Sequence, residues 1–293
     1  MERIARALEL AHSQRTQANS APKSAATVET DVVTAPGTTA VITPNVRLAP
    51  ATQASDQPAD SAPVLVAPTA HVDRSQPDAE RILPPNASGP QAKSYKLLRT
   101  QVLQRLDQLG ANSLAILSAA ANEGKTLTAI NLAISVAAEL GRSALLVDFD
   151  LRRPSVHRRL GFEPSVGVET CLQQGRPAHD AIVRLSGYPR LSVLPARDAV
   201  EQSSELIASQ RAAALVAELR SRYSDRVVIF DLPPVLECDD ALAFSRIVQA
   251  GLFVIAEGRT EREEISRSLT LLQELPIVGT VLNGSREPQR SGY

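Results

Sequence analysis

The chain has 293 residues, is 43% hydrophobic and carries a formal charge of -1, with no Trp, five Phe, four Tyr and two Cys. So even a balance leaves no electrostatic footprint for DNA or RNA, and no nucleic-acid role is assigned. No run approaches the ~18 to 20 consecutive apolar residues of a spanning helix, and Glu2, Arg3, Arg6 and Glu9 interrupt what would be the apolar core of a signal peptide.

Taken in chain order, residues 1–16 place Ile4, Ala7, Leu8 and Ala11 on one helical stripe, predicting a short amphipathic helix. At that length it is marginal on its own, so it reads either as a frayed terminus or as a segment that docks on a partner protein. Residues 17–90 are rich in Pro, Ala, Thr and Ser; eleven of the 20 prolines lie in the first 90 residues and no aromatic precedes Tyr95. Such a stretch cannot close a core and is expected to be a disordered tether. Residues 91–293 are left for one domain, with a short tail over 284–293.

Within that domain, apolar runs alternate with helical patterns. Strands are predicted at 113–117, 144–149, 191–194, 226–230, 251–256 and 277–282. Helices are predicted at 125–140, 201–208, 211–223, 240–248 and 261–274. Strands that are apolar throughout imply a parallel sheet covered on both faces, hence an α/β fold with its ligand at the carboxyl ends of the strands. Cys171 and Cys238 are far apart, with neither metal-type nor redox-type spacing, which fits buried thiols in a reducing cytoplasm.

Three motifs fall at those strand ends. AAANEGKT, Ala119 to Thr126, fits the phosphate-loop spacing GxxxxGK[ST] except that Ala119 replaces the first Gly. In such a loop the backbone amides and the helix N-terminus cradle phosphates, Lys125 neutralises the β/γ charge and the Thr126 hydroxyl reaches Mg²⁺. Asn122 suits the loop if a positive φ is needed there. LLVDFDLRRP, Leu145 to Pro154, delivers Asp148 and Asp150 at i and i+2 on an extended segment, so both carboxylates face one way. VVIFDLPP, Val227 to Pro234, ends a strand on Asp231, a position suited to holding Mg²⁺ directly or through water. Each has a plain structural alternative, a turn or a strand end. Their convergence on one edge points to an ATPase or kinase core.

The order SAAANEGKT, LLVDFDLRRPSVH, LSVLPA, SELIAS, YSDRVVIFDLPPVLECDDA and GTVLN, preceded by SYKLLRT, resembles the bacterial tyrosine kinases of the CpsD/CapB type, which regulate capsule and exopolysaccharide synthesis. The resemblance covers about residues 94–283. It implies a phosphate-loop ATPase fold that uses ATP and Mg²⁺, with Ala121, Asn122, Glu123, Gly124, Lys125, Thr126, Leu127 and Asn283 at the nucleotide. Lys125, Asp148 and Asp150 would be the catalytic set, Asp150 accepting the tyrosine proton, and Thr126, Asp148 and Asp231 would serve the metal. Asn283 would approach adenine, or else be a turn residue before Gly284. The short N-terminal helix and long linker also resemble the soluble kinases of exosortase-type exopolysaccharide loci.

Three departures accompany the resemblance. The tail has one tyrosine, Tyr293, as acceptor; Lys93, Lys96 and Arg99 fall where the family's oligomerising ExxRxxR pattern carries an acid first; and Ala121 and Asn122 replace a Pro-Gly pair. The resemblance further implies a membrane-embedded chain-length-determinant protein as activator in trans, a homo-oligomer, and a cytoplasmic location held peripherally at the inner membrane by that partner. The competing readings are a positioning ATPase of the ParA/MinD type, which would want a lysine at Ala120, and a nucleotide-binding regulatory subunit.

Overall fold

The structure, a computed structural model, describes residues 67–76, 79–222 and 225–285. The N-terminal helix expected at 1–16, most of the expected tether and the Tyr293 acceptor lie outside the described residues.

An eight-stranded sheet organises the described residues, in the order β1-β4-β5-β3-β6-β2-β7-β8. The strands are β1 (Thr69–Ala70), β2 (Ser113–Ser118), β3 (Ser143–Asp148), β4 (Val183–Leu185), β5 (Tyr188–Leu194), β6 (Arg226–Asp231), β7 (Ala250–Ala256) and β8 (Ile277–Asn283). All neighbours pair in parallel except β4 with β5, a hairpin at the edge. The six strands read from sequence are present. The other two, β1 and β4, are two and three residues long and too short to carry a period.

The helices are α1 (Pro90–Leu109), α2 (Lys125–Ala137), α3 (Val156–Leu160), α4 (Val168–Gln174), α5 (Ser203–Ile207), α6 (Gln210–Ser221), α7 (Asp240–Ser245) and α8 (Arg262–Leu271). Proline at the first position and Gly110 in the left-handed region at the C-terminus bound α1 cleanly. Helix α6 is opened by Ser209, whose hydroxyl accepts the amide of Ala212.

Both sheet faces are buried, which is why the strands read as unbroken apolar runs. On one face, Phe149, Phe230 and Phe244 pack with ring centroids 4.7 to 5.8 Å apart. On the other face lies α2, every residue of which is buried. Its outer side is covered by α1 and by Ile82 and Leu83.

That cover corrects one expectation, because residues 67–76 and 79–90 belong to the folded body rather than to a tether. Asn131 of α2 accepts the Leu83 amide at 2.8 Å and donates to the Arg81 carbonyl at 2.8 Å. Arg74 donates to the Ile82 carbonyl and to the Tyr188 hydroxyl, and that hydroxyl donates in turn to the Leu83 carbonyl. Composition missed this segment because polar partners hold it as much as an apolar period does.

Candidate functional site

Parallel pairing sends the ends of β2, β3, β6, β7 and β8 to the same edge, and the loop between β2 and α2 lies among them. Two residues there have left-handed backbones, Asn122 at φ 63° and Gly124 at φ 89°. The positive φ suspected at Asn122 is therefore present, and an asparagine tolerates it better than most side chains.

The loop is braced from every neighbouring strand end. Glu123 is buried, and its carboxylate accepts the Ala120 amide at 3.0 Å and the Thr260 hydroxyl. Asn283 donates to the Glu123 carbonyl at 2.9 Å, and Arg259 to the Asn122 carbonyl at 3.2 Å. From the segment after β6, the Val235 and Leu236 amides donate to the carbonyls of Ser118 and Ala119. Glu237 accepts the Ala121 amide at 2.7 Å.

At the start of α2, Lys125 is buried among the acids that the other two motifs supply. Its Nζ stands 2.9 Å from Asp231 Oδ1 and 3.8 Å from Asp150 Oδ2. Asp148 and Asp231 occupy paired positions on the adjacent strands β3 and β6. Asp148 accepts the amides of Ser155 and Val156 on Oδ2, at 2.9 and 3.0 Å, and so fastens the DLRRPS loop to its strand. Asp150 accepts the Arg153 amide at 3.1 Å. Between the two, Phe149 turns into the opposite core, as strand alternation requires.

One cation among three carboxylates leaves the acids short of positive charge. Burial, followed by the charge of Asp231, pushes Asp148 up to about 8, against the pull of its two backbone amides. Burial also raises Asp150, with Lys125 opposing. For Lys125, burial acts to lower the pKa, but the charges of Asp231 and Asp150 outweigh it and the ammonium is held.

The donor set fits a hard divalent cation. Asp231 Oδ2 is buried without a hydrogen-bond partner, an atom that costs free energy unless something binds it. Across the loop, the Thr126 hydroxyl lies 3.5 Å from that of Ser155. Among the described residues no three His, Cys, Asp or Glu side chains form a ready metal cluster. Mg²⁺ uses one or two protein ligands and keeps phosphate oxygens and waters for the rest, so Asp231 and Thr126 would suffice to hold it.

A further bracket holds the acidic loop from outside. Arg152 donates to Ser203 at 3.0 Å and pairs with Asp240, fully buried at the start of α7, at 3.1 Å. Ser204 donates to the same Asp240 at 2.6 Å.

The structure thus brings together Ala121, Asn122, Glu123, Gly124, Lys125, Thr126, Asp148, Asp150, Asp231 and Asn283, with Leu127 the third residue of α2 and buried. Sequence reading assigned no role to Glu237, Arg259 or Thr260. Glu237 follows a motif but has no diagnostic spacing, and Arg259 and Thr260 sit in a turn after β7 that carries no motif at all.

No protein-family model matches the chain. It is 31% identical over 204 residues to the tyrosine-protein kinase YwqD of Bacillus subtilis, covering 69% of this chain and 84% of that one. It is 34% identical over 188 residues to the succinoglycan biosynthesis transport protein ExoP of Rhizobium meliloti, covering 60% of this chain but 23% of ExoP. Among solved structures, the kinase domain of the Escherichia coli tyrosine kinase ETK superposes with a TM-score of 0.63 at 26% identity, over 70% of this chain and 80% of that one. With its phosphate loop, paired aspartates and parallel sheet in place, the chain belongs to the bacterial tyrosine-protein kinase family.

Proposed function

We propose that this protein transfers the γ-phosphoryl group of ATP to tyrosine hydroxyls, its own among them, and through that phosphorylation regulates exopolysaccharide or capsule export. The observation that carries the reading is Lys125 standing between Asp231 and Asp150 at the opening of α2, beneath a loop with two left-handed residues. Kinship with YwqD supplies the reaction class, and kinship with ExoP supplies the polysaccharide setting.

The residues divide the work by position. The amides of Asn122 to Lys125 and the N-terminus of α2 offer donors to phosphate oxygens, and Lys125 balances their charge. Thr126 and Asp231 would hold Mg²⁺ with Asp148 behind them. When bound, the ion neutralises charge on the phosphates and orients them for in-line transfer.

Asp150 is the candidate base, its carboxyl raised above the ordinary carboxylate range by burial. It is placed to take the phenolic proton as the tyrosine oxygen bonds to phosphorus and the bond to the β-phosphate oxygen breaks. A phenol with a pKa near ~10 needs such an acceptor at neutral pH.

The reading extends to an activator in trans, a membrane-embedded chain-length-determinant protein, which would hold the kinase peripherally at the inner membrane. Among the described residues no helix is long and apolar enough to cross a membrane. Homo-oligomer formation would differ in detail from the family pattern, because Arg99 is engaged within its own chain, 2.7 Å from Glu139 and donating to the Ser135 carbonyl. Tyr293 is the acceptor this reading favours.

The test is to incubate the full chain with Mg-ATP and the activator's cytoplasmic tail, then map phosphotyrosine by mass spectrometry in wild type, Lys125→Met and Tyr293→Phe. Label in wild type and none in Lys125→Met is expected, with Tyr293→Phe losing the tail site. ATP hydrolysis without any phosphotyrosine would leave a nucleotide-binding regulatory subunit as the answer.

A further inference from the structure

Beyond the acidic centre, the loop after Asp150 lines a cavity of about 570 Å³ whose wall includes Arg152, Arg153, Arg158, Arg159 and Arg197. Among the described residues that line it, five of nine are arginines and none is acidic. We propose that this cavity docks a carboxylate-bearing peptide segment next to an acceptor tyrosine of another protein, so that the kinase selects partner tyrosines in acidic surroundings, unlike its own tail, where Arg286 and Arg290 outnumber Glu287. The proposal rests on the kinase reading and adds to it a substrate class.

The positive charge is only partly spent within the chain. Arg152 is committed to Asp240, and Arg158 donates to the Pro154 carbonyl. Arg197 donates to the Ser165 carbonyl and has Asp198 at 3.8 Å. Arg153 and Arg197, the first 76% and the second 50% exposed, have among the described carboxylates only Glu237 and Asp198 beside them, at 3.6 and 3.8 Å, and are the groups best able to receive a guest. Guanidinium forks match carboxylates in a planar, bidentate way, which gives the surface a chemical preference as well as a sign.

Position ties the cavity to the reaction. Arg153 donates its amide to Asp150, and Ser155, also on the cavity wall, donates its amide to Asp148. One loop thus holds the acidic centre with its backbone and lines the cavity with its side chains. A tyrosine that approached Asp150 over this loop would bring its sequence neighbours past these arginines. The nucleotide does not need this cavity, since its phosphates have the loop at 119–125 and Lys125.

The experiment measures binding of a fluorescein-labelled peptide to the full chain, with Phe in place of the acceptor so that no turnover occurs and with Glu, Gln or Lys on both sides. The Glu-flanked peptide should bind at least about tenfold more tightly than the Gln-flanked one, with the difference shrinking as salt is raised. The double variant Arg153→Glu/Arg197→Glu should weaken the Glu-flanked peptide about tenfold and reverse the preference in favour of Lys flanks. A merely unfolded variant would lose all binding rather than reverse it, and a second pair, Arg153→Gln/Arg197→Gln, should abolish the preference without reversing it.

Equal binding of Glu- and Gln-flanked peptides by wild type, or an unchanged preference in both variants, overturns the proposal. The kinase reading fails separately, if tyrosine-bearing versions of these peptides are never phosphorylated while the binding preference holds.

Discussion

Asn283 closes over Gly124 so tightly that a β-carbon built on the glycine would lie 1.7 Å from Asn283 Nδ2. The last strand of the sheet thereby presses its final side chain onto the phosphate loop, while the same amide donates to the carbonyl of Glu123. Gly124 also has φ 89°, which a side chain rarely adopts. Gly124→Ala is therefore expected to lose nucleotide binding and to unfold at lower temperature. Adding Asn283→Ala should recover part of the stability, because it removes the clash but not the strained φ. Calorimetric unfolding of both variants against wild type checks the order; equal loss in single and double variants would mean that the φ requirement alone matters.

Asp148 gives the site a pH signature. Its pKa, raised from 3.8 to about 8, means that the folded, metal-free chain binds a proton the unfolded chain releases. Stability from this group is thus present at low pH and declines as pH rises from about 4 to about 8. If Asp231 holds Mg²⁺ as proposed, the ion would favour the ionised Asp148 carboxylate, so Mg-nucleotide should expel the proton and bind more tightly as pH climbs toward 8, levelling above it. Titration calorimetry at pH 7 in two buffers of different ionisation enthalpy should show proton release. Identical heats in both would mean that Asp148 stays protonated and serves only to hold the Ser155 and Val156 amides.

The Arg152 bracket should matter for rate as well as stability. Removing the guanidinium leaves Asp240 buried with the Ser204 hydroxyl as its side-chain donor. A fully buried pair broken this way costs about 3 to 5 kcal/mol, and because Arg152 is 41% exposed the loss should be nearer about 2 kcal/mol. Arg152→Ala should therefore be destabilised by that amount, with a larger fall in phosphoryl transfer than in ATP affinity, since the freed loop carries Asp150 rather than the phosphate cradle. Asp240→Asn, which keeps the shape and removes the buried charge, should be the milder of the two. Urea unfolding alongside turnover kinetics separates the effects.

The sequence made the strand-end chemistry legible because its signals are local. A strand that is apolar throughout and then ends on Asp231 needs no tertiary knowledge, and Asp148 and Asp150 share a direction through strand alternation alone. The braces around the phosphate loop were not legible, since Glu237, Thr260 and Asn283 meet it from separations of 116, 137 and 160 residues. Nor was the role of residues 79–83, whose contact with α2 depends on the two ends of the Asn131 amide rather than on any apolar period. Helix α2 shows the same limit from the other side. Its spacing predicted a helix but not its depth, since a second layer buries every residue of it.

Glu237 holds a carboxylate 2.7 Å from the amide of Ala121, a donor that the loop would otherwise offer to phosphate. The group opposes nucleotide twice, by occupying the donor and by like charge, although Arg153 at 3.6 Å offsets a little of the latter. Glu237→Gln keeps an acceptor for the amide and removes the charge, so ATP should bind about three- to tenfold more tightly. Glu237→Ala frees the amide as well, but also loosens a loop that depends on outside support. Its gain should therefore be smaller, with some loss of thermal stability. Fluorescence titration with a labelled ATP analogue, in all three proteins and at matched salt, reads the order directly. Weaker binding in Glu237→Gln than in wild type would show that the carboxylate shapes the loop for nucleotide rather than competing with it.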